Sequence, residues 1–197
     1  IKLGTAIMQL AARTPANAAM SAATVDALAG GGRFIAGLGV SGPQIVEGWY
    51  GQPWGRPYYR LKDYVEIMRK VFRREEPVVH DGQEISLPYT GEGAAGVGKP
   101  LKSILHMNSD IPIYIGAGNA ATVRLTAEIC DGWLPLFMSP SKFDNFESSI
   151  GERPDDFEMA ATVMVSPAAT VEEGLAGIKM MMAFYVGGMG HKDQNFH

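Results

Sequence analysis

Ile111-Pro112-Ile113-Tyr114-Ile115-Gly116-Ala117-Gly118-Asn119-Ala120-Ala121 is the stretch on which the fold turns. Its first residues form an apolar run too short for a helix, which predicts a buried strand. The glycines predict a tight turn, and Ala120, Val123, Ala127 and Cys130 recur at the spacing of one helix side. Downstream the alternation repeats: a strand over Gly132-Trp133-Leu134-Pro135-Leu136-Phe137, a helix opening at Ser139-Pro140, and a strand from Phe157 to Val165. A last helix opens with Thr170 and Glu173 at capping-box spacing. Its inner face is expected to carry Val171, Leu175, Ile178, Met182 and Tyr185, with its methionines in the core.

Upstream, residues 1 to 8 read as one strand, Thr14-Pro15 as a helix start, and Gly30-Gly31-Gly32 as its stop after about Leu28. Arg33 to Gly39 is a second short strand, and residues 43 to 57 read as a long ordered loop. Leu61, Tyr64, Val65, Met68, Val71 and Phe72 then define the buried side of a helix. Lys62, Asp63, Glu66, Arg69, Lys70 and Arg73 fall on its solvated side, with Glu66 and Lys70 spaced to pair. Residues 77–110, with a hairpin from Val78 to Leu87 around Asp81-Gly82, interrupt the alternation as an insertion.

About five strands alternating with helices imply parallel strands joined by right-handed crossovers, hence an α/β fold. A (β/α)8 barrel needs about eight such units and typically ~250 residues, so 197 residues would lack roughly three strands. The start inside a strand without Met suggests a segment of a longer protein, read as one partial domain over residues 1–197. A 46% hydrophobic content excludes disorder, and a net charge of -4 lacks the basic surplus that nucleic acid demands. One cysteine, Cys130, with no apolar leader or run of roughly 20 residues, sets the expected location as the cytoplasm, away from membranes.

Two glycine clusters could hold phosphate: Gly37-Leu38-Gly39-Val40-Ser41-Gly42 and Gly116-Ala117-Gly118-Asn119-Ala120-Ala121. The first lacks a clean helix after it and an acid about 20 residues on, so a dinucleotide there is disfavoured. The second has strand before and helix after; an anion at the amides of Gly118 to Ala121 and a plain strand-to-helix turn both remain open. The histidines His80, His106, His191 and His197 lack metal-ligand spacing, so no metal is expected. Cys130 reads as a packed thiol, and Gly39-Val40-Ser41-Gly42 falls one position short of a nucleophile elbow. Trp49, Tyr50 and Trp54 either stack on a planar ring or roof the barrel mouth. Glu47, a carboxylate near that mouth, reads as solvated.

Taken in order, Ile1 to Ile7, Arg33 to Gln44, Ile111 to Gly118 and Asp131 to Pro135, with Val186-Gly187-Gly188-Met189-Gly190 and Asn195-Phe196-His197, resemble the bacterial-luciferase-like monooxygenases, and within them the coenzyme F420-dependent oxidoreductases. The resemblance implies a TIM barrel, present here as about strands three to seven. It implies a bulge with a non-prolyl cis peptide at Ala6-Ile7 that backs the middle ring of a deazaflavin or flavin. Thr5, Ala6, Ile7, Ser41, Gly42, Gly116, Ala117, Gly118 and Asn119 are the implied cofactor-binding residues. Coenzyme F420 is the implied cofactor, with FMN the alternative, and hydride transfer to or from a small organic substrate the implied reaction. A homo-oligomer is expected.

Pro43 stands where related sugar-phosphate dehydrogenases place a glutamate, and the acidic-His pair of the family would lie before Ile1. No catalytic acid or base is therefore named. Other readings are an FMN monooxygenase, a truncated flavin-binding protein without turnover, and a Rossmann-type NAD(P) enzyme.

Overall fold

The computed structural model describes residues 1–106, 108–139, 141, 143–188, 190–191 and 194–195. In chain order its first elements are β1 (Leu3–Gly4), β2 (Met8–Gln9), α1 (Pro15–Leu28), β3 (Phe34–Gly39), α2 (Pro43–Gly48) and α3 (Pro57–Arg73). A hairpin of β4 (His80–Asp81) and β5 (Ser86–Leu87) precedes β6 (Ile113–Ala117), α4 (Ala120–Ile129), β7 (Gly132–Pro135) and α5 (Asp144–Ile150). Then come β8 (Glu158–Met159), α6 (Val171–Ala183), and a terminal antiparallel pair, β9 (Gly190–His191) and β10 (Gln194–Asn195).

One parallel sheet runs β1-β3-β6-β7-β8, with β2 continuing β1 along the same side of β3. Strand-helix-strand units joined this way build a barrel wall, and the curvature is visible in the side chains. The Lys2 ammonium ion before β1 reaches the Glu158 carboxylate on β8, at the far edge of the sheet, at 3.4 Å.

The two faces of the sheet differ in kind. Phe34, Ala36, Leu38, Ile113, Ile115, Ala117 and Trp133 point to the helical layer and join the core with α1, α3 and α4. Burying Leu61, Ile67, Met68 and Phe72 of α3 there contributes roughly 2 kcal/mol each before entropy is counted. Trp133 also donates its indole N–H to the Ala117 carbonyl at 2.9 Å. The opposite, lumen face carries Gly37, Gly39, Tyr114, Gly116, Gly132 and Leu134: small residues interrupted by few large ones.

Several expectations hold. Thr14 caps α1 by accepting the Asn17 amide at 3.3 Å, Thr170 caps α6 from Glu173, and the hairpin forms within 78–87. Cys130 is a buried thiol whose pKa burial pushes up to about 12.

Others need correction. The 43–57 segment is not all loop, because Gly42 in an extended conformation and Pro43 in the first turn start the short α2. Ala120, expected inside, is exposed at the first turn of α4. The strand expected to run to Val165 stops at Met159, and among the described residues no later strand joins the parallel sheet. The one expected to reach Phe137 stops at Pro135, and Phe137 takes φ 52°. The helix expected from Ser139-Pro140 begins at Asp144; Pro140 lies outside the described residues. On α6, Val171, Leu175, Met180 and Met182 are exposed, since no described element covers them.

The solvated side of α3 is also revised. Glu66 pairs with Lys62 at 3.9 Å rather than with Lys70, which donates to the Val79 carbonyl at 2.7 Å. Asp63 is buried, accepts the amides of Glu84 and Ile85 at 2.7 and 2.9 Å, and lies 3.2 Å from His80 Nε2. Its carboxylate occupies the space a side chain at Gly82 would need. Asp63→Ala is expected to cost about 2 kcal/mol and to release the hairpin, because two amides lose their charged acceptor. Hydrogen exchange at Glu84 and Ile85 reads this directly: protection falling there far more than at Ile115 is the expected result.

Candidate active site

Parallel α/β sheets place their ligand sites at the carboxyl-terminal ends of the strands, and that end is where β2, β3 and β6 converge. Between Gly4, paired with Ile35, and Met8, paired with Leu38, lie three residues opposite two. Thr5 to Ile7 therefore form a bulge with one extra residue. The Ala6-Ile7 peptide within it is cis, as the resemblance implied.

What accommodates the bulge is the glycine face of its neighbours. Thr5 is held at both ends, its amide donating to the Ile35 carbonyl at 3.3 Å and its hydroxyl to the Gly37 carbonyl at 2.8 Å. A Cβ on Gly37 would lie 1.8 Å from the Thr5 carbonyl oxygen. The Ile7 side chain fills the place a Cβ on Gly39 would take, 2.7 Å away, and comes within 3.3 Å of that position on Gly116. The three glycines are thus clearance for the bulge, and Gly37 and Gly39 are no part of a phosphate loop.

Gly116 carries the site on to the turn before α4. At Gly118 no heavy atom lies within 4 Å of the position a Cβ would occupy, so this backbone faces open space. Asn119 caps α4 by accepting the Thr122 amide at 2.9 Å, leaving the amides of Ala120 and Ala121 as first-turn donors the helix cannot use itself. Ala117 departs from its neighbours, for its side chain is buried in the helical layer and its carbonyl is taken by Trp133. Ser41 adopts φ 63° two residues past the end of β3, and Gly42 caps α2, so both stand on the loop that leaves the carboxyl-terminal end of that strand.

The aromatic residues after α2 part ways. Trp49 is exposed, and Trp54 packs beside Leu10, Val40 and Val46. Tyr50 turns back to the strand ends and donates its hydroxyl to Gln9 Oε1 at 2.6 Å. Gln9 was not among the residues the sequence singled out, although strand alternation from Ile7 puts it on the same face.

The amino-terminal end of the sheet is chemically separate. There the Tyr114 hydroxyl passes over Gly132 and donates to the Glu158 carboxylate. Burial and that bond both raise the Tyr114 hydroxyl well above its usual range, while Tyr114 and Lys2 hold Glu158 below its own. A cavity of about 550 Å³ also opens at this end, between Arg69, Arg73, Glu128 and Asp131. Of its two arginines Arg69 is already committed, donating to the Asp131 carboxylate and the Ile111 carbonyl. Among the described residues no group of three or more His, Cys, Asp or Glu side chains could hold a metal ion. His197 lies outside the described residues, as do Met189 and Phe196 of the carboxyl-terminal blocks.

Residues 1–197 match the luciferase-like monooxygenase family throughout. The chain belongs to that family. Among its members, the "Putative coenzyme F420-dependent oxidoreductase Rv3520c" of Mycobacterium tuberculosis is 48% identical over 100% of this chain and 59% of its own length. The 5,10-methylenetetrahydromethanopterin reductase of Archaeoglobus fulgidus is 28% identical over 95% of this chain and 54% of its own. The solved coenzyme F420-dependent tetrahydromethanopterin reductase from Methanopyrus kandleri superposes with a TM-score of 0.75 at 25% identity, covering 98% of this chain and 58% of that one. The chain thus spans between half and three-fifths of these luciferase-like relatives, and its parallel sheet is an incomplete barrel of their kind.

Proposed function

We propose that this chain is the cofactor-holding part of a coenzyme F420-dependent oxidoreductase that passes a hydride between the deazaflavin and a small organic substrate. The observation that carries the reading is the meeting of Ile7 with Gly116 at the carboxyl-terminal end of β6, at most about 13 Å of chain from the unused Ala120 amide in the first turn of α4. A wedge and an anion cradle at that separation suit a tricyclic ring and the phosphate on its tail.

When bound, the deazaflavin supplies the hydride-accepting and hydride-donating carbon. The protein's part is to place it. Ile7 gives the ring an apolar backing, with Thr5 and Ala6 setting the height of that wedge. The Ala120 and Ala121 amides, approached over the bare backbone of Gly118, attract phosphate through hydrogen bonds and the positive end of α4. Asn119 keeps that end ordered. Ser41 and Gly42 border the ring on the β3 side, and Gly116 and Ala117 contribute backbone only.

The same reading makes residues 1–197 one partial-barrel domain with 77–110 as an insertion, in a cytoplasmic homo-oligomer. For the location, its support is the single buried cysteine and the lack, among the described residues, of a helix able to cross a membrane.

Titrating the full-length protein with coenzyme F420 and with FMN, followed by fluorescence quenching, tests it. The expected outcome is micromolar or tighter binding of F420 and at least roughly tenfold weaker binding of FMN. Tight FMN binding with none of F420 overturns the deazaflavin assignment in favour of a flavin monooxygenase.

A further inference from the structure

We infer that Gln9 is a cofactor-binding residue, a fixed hydrogen-bond donor to the ring, and that Tyr50 is the positioning residue that fixes it. The inference rests on the deazaflavin reading of the site and adds a polar contact to it. It starts from the register of β2. Met8 packs against the helical core, so Ile7 and Gln9 share the lumen face, with Gln9 one step nearer the mouth.

That step is about 7 Å, less than the length of a three-ring system lying on Ile7. A ring resting on Ile7 would therefore extend past Gln9, whose side chain would meet the carbonyl oxygens and ring nitrogens of its polar edge. An amide side chain can present either its oxygen or its two N–H groups to such a ligand. Tyr50 settles which. Its hydroxyl donates to Gln9 Oε1 at 2.6 Å, taking the acceptor end and leaving the NH2 end for the lumen. Tyr50 is itself held by α2, its amide donating to the Ile45 carbonyl at 3.1 Å. Half-buried and tied to the end of a helix, it holds the Gln9 amide without touching the ring.

Three variants of the full-length protein test this with coenzyme F420 as the probe: Gln9→Met, which keeps length but removes both amide functions, Tyr50→Phe, and the double variant. Fluorescence titration is expected to show Gln9→Met binding F420 roughly 5- to 10-fold more weakly, the usual effect of one neutral hydrogen bond. Tyr50→Phe is expected to lose roughly threefold, and the double variant no more than Gln9→Met alone, because Tyr50 acts only through Gln9. The absorption maximum of bound F420 should move in Gln9→Met, a change that loosened packing would not produce. Wild-type affinity and an unmoved band in Gln9→Met, with the melting temperature retained, overturn the inference and leave the cofactor assignment standing. A wild-type protein that binds neither F420 nor FMN overturns both.

Discussion

Gly37→Ala is expected to abolish both stable folding and cofactor binding, although it adds a single methyl group. The added carbon would sit 1.8 Å from the Thr5 carbonyl oxygen, inside any allowed contact, and 3.1 Å from Leu134 Cδ1. Side-chain clashes of this size are relieved by a change of rotamer, but here one partner is backbone on each side. Thr5 cannot retreat cheaply, since its hydroxyl and amide are bonded to the Gly37 and Ile35 carbonyls. The chain must break that pairing or spread β1 from β3, and either costs about 3 kcal/mol or more, at the upper end of overpacking penalties. Thermal melting and F420 titration of Gly37→Ala beside Gly118→Ala separate this from a general intolerance of alanine. Gly118 has open space where its Cβ would go, so Gly118→Ala should melt within about 1 °C of wild type, whereas a Gly37→Ala protein with wild-type melting would refute the clearance argument.

The same glycines show how far sequence reading reaches in this chain. Strand, turn and helix around Ile113, Gly118 and Val123 were legible because apolar periodicity and glycine punctuation are local properties. The parallel sheet followed from their alternation. What Gly37 and Gly39 are for was not legible, because their neighbours, Thr5 and Ile7, are some thirty residues away and meet them only through β-pairing. A glycine needed for clearance and one needed to bind phosphate look alike in sequence. The bulge at Thr5–Ile7 was reached through family resemblance, not from its own residues, which read as an uninterrupted strand. Asp63 was misplaced for a related reason: helical spacing put it outside, and the hairpin amides that bury it come from residues about twenty positions later. The inner face expected of α6 was a sound reading of periodicity, but burial also needs a partner surface, and no described element supplies one for Val171 or Met182.

Asp26 is the residue whose loss should destabilise the fold most among polar side chains, and nothing in its immediate sequence marks it. It lies in the last turn of α1, where an acid opposes the helix dipole, yet it is only 2% exposed. The explanation is the turn beyond it. Gly30, Gly31 and Gly32 take φ of 93°, 81° and 67°, a left-handed run that only glycine follows at low cost, and the chain wraps round the carboxylate. The amides of Gly32, Arg33 and Phe34 donate to it at 3.0, 2.8 and 3.0 Å, and the Asn108 side chain adds a fourth bond at 3.2 Å. One carboxylate thereby joins the end of α1, the start of β3 and the approach to β6. Burial alone would raise its pKa, but these four donors outweigh it and hold the carboxyl below its ordinary value. The group is therefore bound as an anion more tightly in the folded chain than in the unfolded one. Its contribution is complete above the unfolded carboxylate value of about 3.9 and fades as pH falls through the lower folded value. Asp26→Ala is expected to cost about 3 kcal/mol at pH 7, since it strands several amides at the edge of the core. Asp26→Asn should cost somewhat less, as one amide oxygen replaces two charged ones. Denaturant unfolding of wild type and Asp26→Asn across pH should give a difference that is constant near neutrality and shrinks below about pH 4. A difference independent of pH down to the acid transition would mean that the carboxylate's charge plays no part in closing the turn onto β3.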